Sequence, residues 1–300
     1  MKLITGSSNR TFSEKLATAL EVPIAQVEIS EFANGEKRVW IQESVQGENC
    51  VLVQSFYQKP DEFIMEFLLL ADALERMGAR HVNAVIPWLG YSLQDKVFRE
   101  GEPIAAKVVA QLASNAYIKR VYLLDVHNSS LPGFFSIPTV HISALDLFAT
   151  YIKNTFDTAN CMIASPDFGS MKRARSLANT LNYELVNIDK HRDLNTGAVT
   201  AMDLAGADVT GKTIVIFDDC ILSGGTVLEA SKLLKSRGAA QVHFLATHGV
   251  FTPGAVEKLA ESPEVDSIVI SNSIHHQDLP KKFKVLDVSQ LFADKITLWK

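Results

Sequence analysis

The sequence has 300 residues, of which 47% are hydrophobic and 21% charged, a composition typical of a globular protein long enough for two domains. The formal net charge of -5 excludes a strongly positive field of the kind that holds nucleic acid or an anionic membrane surface. The most apolar stretch, residues 63–74, contains Glu66 and Asp72 and is too short to span a bilayer.

The cysteines argue for a reducing compartment. Cys50, Cys161 and Cys220 are widely spaced, form no paired or zinc-binding motif, and each sits in or beside an apolar run. We therefore expect buried free thiols. The N-terminus turns polar too early for a signal peptide, and a cytoplasmic protein without membrane attachment is expected.

Short β-rich runs alternate with helical patterns along the chain. Several runs, such as 121–124 and 214–217, are almost continuously apolar, which suits strands covered on both faces of a parallel sheet. Strands are predicted at 2–5, 50–54, 81–87, 120–126, 161–165, 183–188, 212–218, 241–247 and 267–271, with helices at 61–77, 103–115 and 226–236.

This alternation predicts an α/β architecture with parallel sheets. A domain joint is plausible near residues 143–160, because each side then holds a full alternating set. We therefore expect an N-terminal domain at 1–147 and a C-terminal domain at 148–300.

The segment 213–226 carries the sharpest chemical pattern. A buried strand ends in Asp218 and Asp219, and a short loop with Gly224 and Gly225 leads into a helix. In an open α/β sheet, ligands bind beyond the carboxyl ends of strands. The glycines let the backbone approach a phosphate, the helix amides favour its charge, and the two acids suit sugar hydroxyls or a metal-bound water. The residues alone leave a plain strand-to-helix turn equally open.

An acid pair, three residues and then Ser-Gly-Gly-Thr resembles the phosphoribosyl-binding loop of type I phosphoribosyltransferases and phosphoribosyl diphosphate synthetases. Other segments, in family order, resemble the synthetases. They are Phe32-Ala33-Asn34-Gly35-Glu36, residues 86–95, residues 101–104, Asp125-Val126-His127 with Gly133-Phe134-Phe135, Ser165-Pro166-Asp167-Phe168-Gly169 with Lys172-Arg173-Ala174, and Lys190-His191-Arg192. The chain is identified as a member of the synthetase family.

This resemblance implies two tandem type I phosphoribosyltransferase-like domains with mainly parallel sheets, in a homo-oligomer built from dimers, such as a tetramer or hexamer. It implies that ATP and ribose 5-phosphate react with Mg²⁺ assistance. The diphosphoryl group passes to the anomeric hydroxyl, giving AMP and 5-phosphoribosyl 1-diphosphate.

The resemblance also assigns roles to individual residues. Lys190 and Arg192, in a polar loop after a strand ending at Ile188, would be catalytic, and His127 and Asp167 would be metal ligands. The remaining assignments are ATP binding by Phe32, Asn34, Gly35, Glu36, Leu93, Gln94 and Asp95, and ribose 5-phosphate binding by Asp218, Asp219, Leu222, Ser223, Gly224, Gly225 and Thr226.

The chain departs from the family pattern at four positions. Leu93 stands where an arginine is usual, Asn34 replaces an aspartate, Leu222 replaces a polar or acidic residue, and Ser170 replaces a second glycine. The change at Leu93 removes a planar cation suited to adenine or phosphate. A weakly catalytic regulatory paralogue that assembles with an active synthetase is therefore the alternative. A transferase that consumes phosphoribosyl diphosphate is disfavoured by the ATP-type segments.

Overall fold

The computed structural model describes residues 1–192 and 199–297. Its strands are β1 (Lys2–Thr5), β2 (Val27–Glu31), β3 (Lys37–Ile41), β4 (Asn49–Val53), β5 (His81–Ile86), β6 (Arg120–Leu124), β7 (Thr139–Ile142), β8 (Cys161–Ser165), β9 (Leu185–Arg192), β10 (Val199–Ala205), β11 (Thr213–Ile221), β12 (Gln241–Gly249), β13 (Ser267–Ser271) and β14 (Phe283–Leu286). Its α-helices are α1 (Arg10–Leu20), α2 (Pro60–Arg76), α3 (Ala105–Asn115), α4 (Leu145–Thr155), α5 (Met171–Leu181), α6 (Gly225–Ser236), α7 (Ala255–Glu261) and α8 (Ser289–Thr297).

The chain forms two compact units. Unit 1 holds Met1–Ser143, Asn272–His275 and the segment from Asp287, and unit 2 holds Ala144–Ser271 with His276–Leu286. The expected division after residue 147 differs from this one mainly because two C-terminal segments return to unit 1. No described helix is both long and apolar enough to cross a bilayer.

Unit 1 is built on a parallel five-stranded sheet in the order β1-β4-β5-β6-β7. The strands β2 and β3 form a separate antiparallel hairpin. Helix α2 buries Phe67, Leu70 and Leu74 at helical spacing, so one apolar stripe covers the sheet. Near the C-terminus, α8 packs on α1, where the rings of Phe12 and Phe292 meet edge to face at 5.4 Å.

Unit 2 is built on a seven-stranded sheet in the order β10-β9-β8-β11-β12-β13-β14. All neighbours are parallel except β9 and β10, which are antiparallel. Strand β11 lies between β8 and β12, and its residues 214–217 are buried, which agrees with their continuous apolar run. The predicted α/β fold with mainly parallel sheets is confirmed.

Two expectations need correction. The strand predicted to end at Ile188 continues as β9 to Arg192, because β10 supplies an antiparallel partner that pairs Lys190 with Met202. The polar segment is therefore strand backbone up to Arg192. Among the cysteines, Cys50 and Cys161 are buried free thiols as predicted, whereas Cys220 is only partly buried.

Candidate active site

Two carboxylates lie at the carboxyl end of β11, in the middle of the unit 2 sheet. Asp218 and Asp219 are 9% and 4% exposed. The buried strand fixes their backbone, with Asp218 paired to Ala246 of β12. This edge of a parallel sheet is where α/β proteins present polar groups to a ligand. The acid pair therefore lies where the sequence predicted it.

The start of α5 supplies the cation of this pair. Arg173 Nη1 lies 3.4 Å from Asp218 Oδ1 and 3.2 Å from Asp219 Oδ1. One guanidinium thus faces two buried acids. Burial, followed by the negative charge of Asp219, raises the pKa of Asp218 to about 8. Burial therefore favours the protonated form of Asp218 more than it would for an exposed aspartate.

The predicted metal ligand Asp167 is connected to the acid pair through Ser170. Asp167 Oδ1 accepts a hydrogen bond from Ser170 N at 3.0 Å and lies 3.1 Å from Ser170 Oγ. Ser170 Oγ also lies 2.6 Å from Asp218 Oδ1. On the other side, Ser165 Oγ donates to the backbone oxygen of Asp167 at 2.7 Å. Asp167 and Asp218 are thus brought together with a single hydroxyl between them.

The loop after β11 leads into the start of α6. Gly224 has φ +73°, and a Cβ added there would lie 2.9 Å from Leu259 Cγ, so both backbone and space require glycine. The N-cap residue Gly224 provides no side-chain cap, and Gly225 N donates to Ser223 Oγ at 3.4 Å. Thr226 is the next residue of this first turn, and a helix start without a side chain at its N-cap position suits a phosphate. Leu222 is exposed.

In unit 1, the predicted metal ligand His127 follows β6, and the predicted ATP residue Asp95 lies in the loop after β5. These two loops touch, because Asn128 Nδ2 donates to Asp95 Oδ2 at 2.7 Å. Asn128 is itself held by Ser130 N, which donates to Asn128 Oδ1 at 3.0 Å. The turn before His127 includes Asp125 at φ +31°, a sparsely populated region for a residue with a Cβ.

Leu93 and Gln94 lie in the same loop after β5. Gln94 O accepts a hydrogen bond from Ala106 N at 3.1 Å, which ties the loop to the first turn of α3. Leu93 is half-buried, and the exposed Lys96 Nζ lies 5.1 Å from the ring centroid of Phe98. The loop thus combines a half-buried leucine with an exposed cation and aromatic ring.

The other predicted ATP segment, Phe32–Glu36, forms the turn of the β2–β3 hairpin. Gly35 has φ +86°, and Asn34 Oδ1 accepts from Glu36 N at 3.2 Å. Asn34, predicted as part of an ATP-binding segment, therefore uses its side-chain oxygen to stabilise the turn. Phe32 is 53% exposed. In the described part of the chain, no hydrogen bond or ion pair joins this turn to Gln94.

The predicted catalytic residues Lys190 and Arg192 are described through their backbone only. They are two residues apart on β9, where the backbone of Lys190 pairs with Met202 of β10 and that of Arg192 pairs with Val199. Their side chains lie outside the described residues, as do residues 193–198.

Each of the two residues predicted as metal ligands, His127 in unit 1 and Asp167 in unit 2, is by itself suited to be one ligand of a magnesium ion. Asp167 is partly exposed and its described donors approach Oδ1, and His127 is exposed. The described residues contain no cluster of three or more His, Cys, Asp or Glu side chains that would form a complete cage. Mg²⁺ typically binds one or two carboxylates and fills its remaining positions with waters and substrate phosphates. This donor set fits that chemistry.

Three residues of the site received no role from the sequence. Arg173 was noticed only as part of a motif, Ser170 only as a departure, and Asn128 not at all. In unit 2, Arg173 and Ser170 contact Asp218, which is 45 and 48 residues away in the sequence. In unit 1, Asn128 contacts Asp95, which is 33 residues away. Such pairs depend on the packing of strands and loops, which local patterns do not show.

The chain is similar to known proteins over almost its whole length. Residues 1–116 match the N-terminal domain of ribose phosphate pyrophosphokinase, and residues 195–298 match the phosphoribosyl synthetase-associated domain. The chain is 39% identical to a ribose-phosphate pyrophosphokinase of Brucella melitensis, covering 99% of this chain and 96% of the relative. It is 38% identical to one of Helicobacter hepaticus, covering 98% and 94%. The crystal structure of phosphoribosylpyrophosphate synthetase from Mycobacterium smegmatis matches with a TM-score of 0.91 at 32% identity, covering 99% and 97%.

Proposed function

The chain belongs to the ribose-phosphate pyrophosphokinase family, and we propose that it transfers the terminal diphosphate of ATP to the anomeric hydroxyl of ribose 5-phosphate, releasing AMP. The observation that carries this proposal is the segment from Asp218 to Thr226. It places two buried acids beside a helix start that has glycine at its N-cap and no side-chain cap. Acids for sugar hydroxyls and amides for phosphate are the two features that a sugar phosphate requires.

Ribose 5-phosphate would bind along this segment. The 5-phosphate lies against the backbone of residues 222–226, with the hydroxyls of Ser223 and Thr226 as further donors. Asp218 and Asp219 accept hydrogen bonds from the ribose hydroxyls. Because Asp218 has a raised pKa in the free protein, a bound donor or cation would favour its ionised form.

The reaction needs placement and charge more than covalent chemistry from the protein. The anomeric oxygen forms a bond to the β-phosphorus of ATP, the bond from that phosphorus to the bridging oxygen breaks, and AMP leaves with that oxygen. The hydroxyl proton passes to solvent, and no side chain is required as a general base. Lys190 and Arg192 would neutralise charge on the transferring group and on AMP.

His127 and Asp167 would hold Mg²⁺ together with phosphate oxygens and waters. The ion supplies charge neutralisation for the phosphates when it is bound. Asp167 keeps its carboxylate oriented for this purpose through the two contacts from Ser170.

ATP would be bound by two segments of unit 1. These are the hairpin turn with Phe32, Asn34, Gly35 and Glu36, and the loop with Leu93, Gln94 and Asp95. The same proposal includes phosphoribosyltransferase-like domains at 1–147 and 148–300, a dimer-based homo-oligomer that forms a tetramer or hexamer, and a cytoplasmic location.

The experiment is an assay of purified protein with ATP, Mg²⁺ and ribose 5-phosphate, following AMP and phosphoribosyl diphosphate together. We expect equal amounts of both products, lost in Lys190→Ala and retained in Lys153→Ala, which removes an exposed lysine of α4. If neither product appears across a wide range of ATP, other nucleotide donors and phosphate, the enzyme proposal fails. Co-purification with an active synthetase would then support the regulatory alternative.

A further inference from the structure

Ser170 is buried between two carboxylates that the proposed function assigns to different ligands. Its hydroxyl oxygen lies 2.6 Å from Asp218 Oδ1 and 3.1 Å from Asp167 Oδ1. Its backbone amide also donates to Asp167 Oδ1, at 3.0 Å. Since only 6% of Ser170 is exposed, bulk water competes little for these contacts.

Each carboxylate is held through one of its two oxygens. The hydrogen bonds to the Asp218 carboxylate from Ser170 Oγ, Arg173 Nη1 and Asp219 N all reach Oδ1. Both Ser170 contacts to Asp167 also reach Oδ1. The arrangement thus fixes both carboxylates through Oδ1, and the carboxyl group of Asp218 also shares a hydrogen bond with that of Asp219.

The hydroxyl can serve only one of the two acids at a time, because a serine carries a single hydroxyl proton. The 2.6 Å separation from Asp218 is that of a short, strong O–H···O hydrogen bond. A cation on Asp167 withdraws charge from that carboxylate and makes it the poorer acceptor. The hydroxyl proton is then directed to Asp218. Cation binding at Asp167 would therefore strengthen the hydrogen bond that Ser170 donates to Asp218.

We propose that Ser170 is a positioning residue that couples the binding of a divalent cation at Asp167 to the binding of the sugar phosphate at Asp218. This rests on the proposed function and adds a specific consequence to it. Cation and sugar phosphate should strengthen each other's binding through this hydroxyl, even when no nucleotide is present. The family pattern that this chain resembles has a second glycine at this position, so the hydroxyl is a feature of this chain's own sequence.

The test measures binding rather than turnover. Ribose 5-phosphate is titrated calorimetrically into the full-length protein without ATP, with and without Mg²⁺. In the wild type, Mg²⁺ should strengthen the affinity. In Ser170→Ala, this enhancement should shrink by about fivefold to tenfold, as expected for the loss of one hydrogen bond of ordinary strength. Steady-state assays should show a raised KM for ribose 5-phosphate, with kcat changed by less than about threefold.

Two further variants separate the hydroxyl from its surroundings. Ser170→Thr keeps the hydroxyl and should retain the Mg²⁺ enhancement. Ser176→Ala removes an exposed hydroxyl of the same helix, which bonds to Lys172 O at 3.0 Å, and should match the wild type. Thermal melting of each protein checks that it is folded. If Ser170→Ala does not fold, Ser170→Gly takes its place, with the same expected loss.

The coupling is overturned if the folded Ser170→Ala or Ser170→Gly protein keeps both the wild-type affinity and the wild-type enhancement. It is also overturned if Ser170→Thr loses as much as Ser170→Ala, because packing rather than the hydroxyl would then be responsible. A wild type that binds no ribose 5-phosphate and forms no AMP would instead overturn the proposed function, and the coupling with it.

Discussion

Arg173 Nη1 lies 3.2 Å from Asp219 Oδ1, and the guanidinium is 22% exposed while the acid side chain is 5% exposed. The same nitrogen lies 3.4 Å from Asp218 Oδ1. The first turn of α5 thereby places one positive charge beside the acid pair at the end of a buried strand. A buried carboxylate without a cation would strongly favour its protonated form or unfold the site. Arg173 therefore favours the ionised form of Asp218, against the effects of burial and of Asp219 that raise its pKa.

Replacing Arg173 by methionine should destabilise the free protein by about 2–3 kcal/mol, less than for a fully buried pair because the arginine side chain keeps some contact with water. This loss of stability should be larger at pH 8 than at pH 5, because ionisation of both acids is more favoured at pH 8. Urea unfolding at the two pH values measures the loss of stability. Arg175→Met, an exposed arginine of the same helix, should change the stability by less than about 0.5 kcal/mol. Equal effects of the two variants would contradict the role of Arg173.

The raised pKa of Asp218 predicts a pH dependence with a definite sign. The folded pKa is about 8 and the ordinary value is 3.8, so between these values the folded protein keeps a proton that the unfolded chain has lost. Stability therefore falls as the pH rises from about 4 to about 8. Asp218→Asn keeps the oxygen acceptor and removes this titration. We expect its melting temperature to fall less steeply than that of the wild type from pH 5 to pH 8.5, and its ribose 5-phosphate binding to weaken. Parallel melting curves would contradict the prediction.

The central strands could be predicted from the sequence because their apolar runs are long and local. Residues 214–217 are buried where the pattern placed them, and the acids follow at the strand end. The Gly224 loop was predicted for the same reason, since a glycine pair after a buried strand is a local signal. The glycine loop and the strand end can therefore be predicted from the local sequence alone.

The remaining features depend on partners distant in sequence. The hairpin β2–β3 is mostly half-exposed, so no continuous apolar run marks it. The polar end of β9 is a strand because β10 pairs with it, and nothing near Lys190 indicates that partner. The return of the C-terminal segment to unit 1 depends on packing such as that between Phe12 and Phe292. These features become visible only when the elements are assembled.

The contact between Asn128 and Asp95 predicts an effect on the nucleotide. Asn128→Ala should raise KM for ATP by about threefold to tenfold, because Asp95 loses the donor that orients it. Asn128→Asp should raise KM for ATP further, because it places a second carboxylate beside Asp95. Initial rates at varied ATP measure both variants, with Ser129→Ala as the control in the same exposed loop. If the alanine and aspartate variants match the control, the contact does not orient Asp95.

Leu93 predicts a substitution that should improve ATP binding instead of weakening it. Leu93→Arg introduces the planar cation that the family pattern has at this position, in a half-buried loop residue beside Gln94. A charge-assisted contact should lower KM for ATP by about tenfold. Leu93→Met keeps the volume without the charge and should leave KM unchanged. If Leu93→Arg leaves KM unchanged, the exposed Lys96 becomes the candidate for that cationic role, and combining Leu93→Arg with Lys96→Ala measures whether the two overlap.

The buried His243 is expected to set the lowest pH at which unit 2 remains stably folded. Its ring nitrogen Nδ1 lies 2.7 Å from Ser267 Oγ, and its ring lies 4.4 Å from that of Phe156. Burial lowers the pKa of His243 from 6.5 to about 4, with Asp266 acting to raise it and Lys235 to lower it further. Below pH 6.5 the unfolded chain takes up a proton that the folded protein excludes, so stability is lost as the pH falls towards 4.

This single group should account for about 3 kcal/mol between pH 7 and pH 4. His243→Gln keeps a polar side chain but cannot titrate, so its urea-unfolding free energy should decline less over that range. His81→Gln, at an exposed position at the start of β5, should follow the wild-type curve. If His243→Gln declines as steeply as the wild type, a different group sets the acid limit. Asp266 would then be the next residue to replace, because its carboxylate accepts from Val242 N at 2.7 Å beside the same strand and must be ionised to hold Lys235 at 2.9 Å.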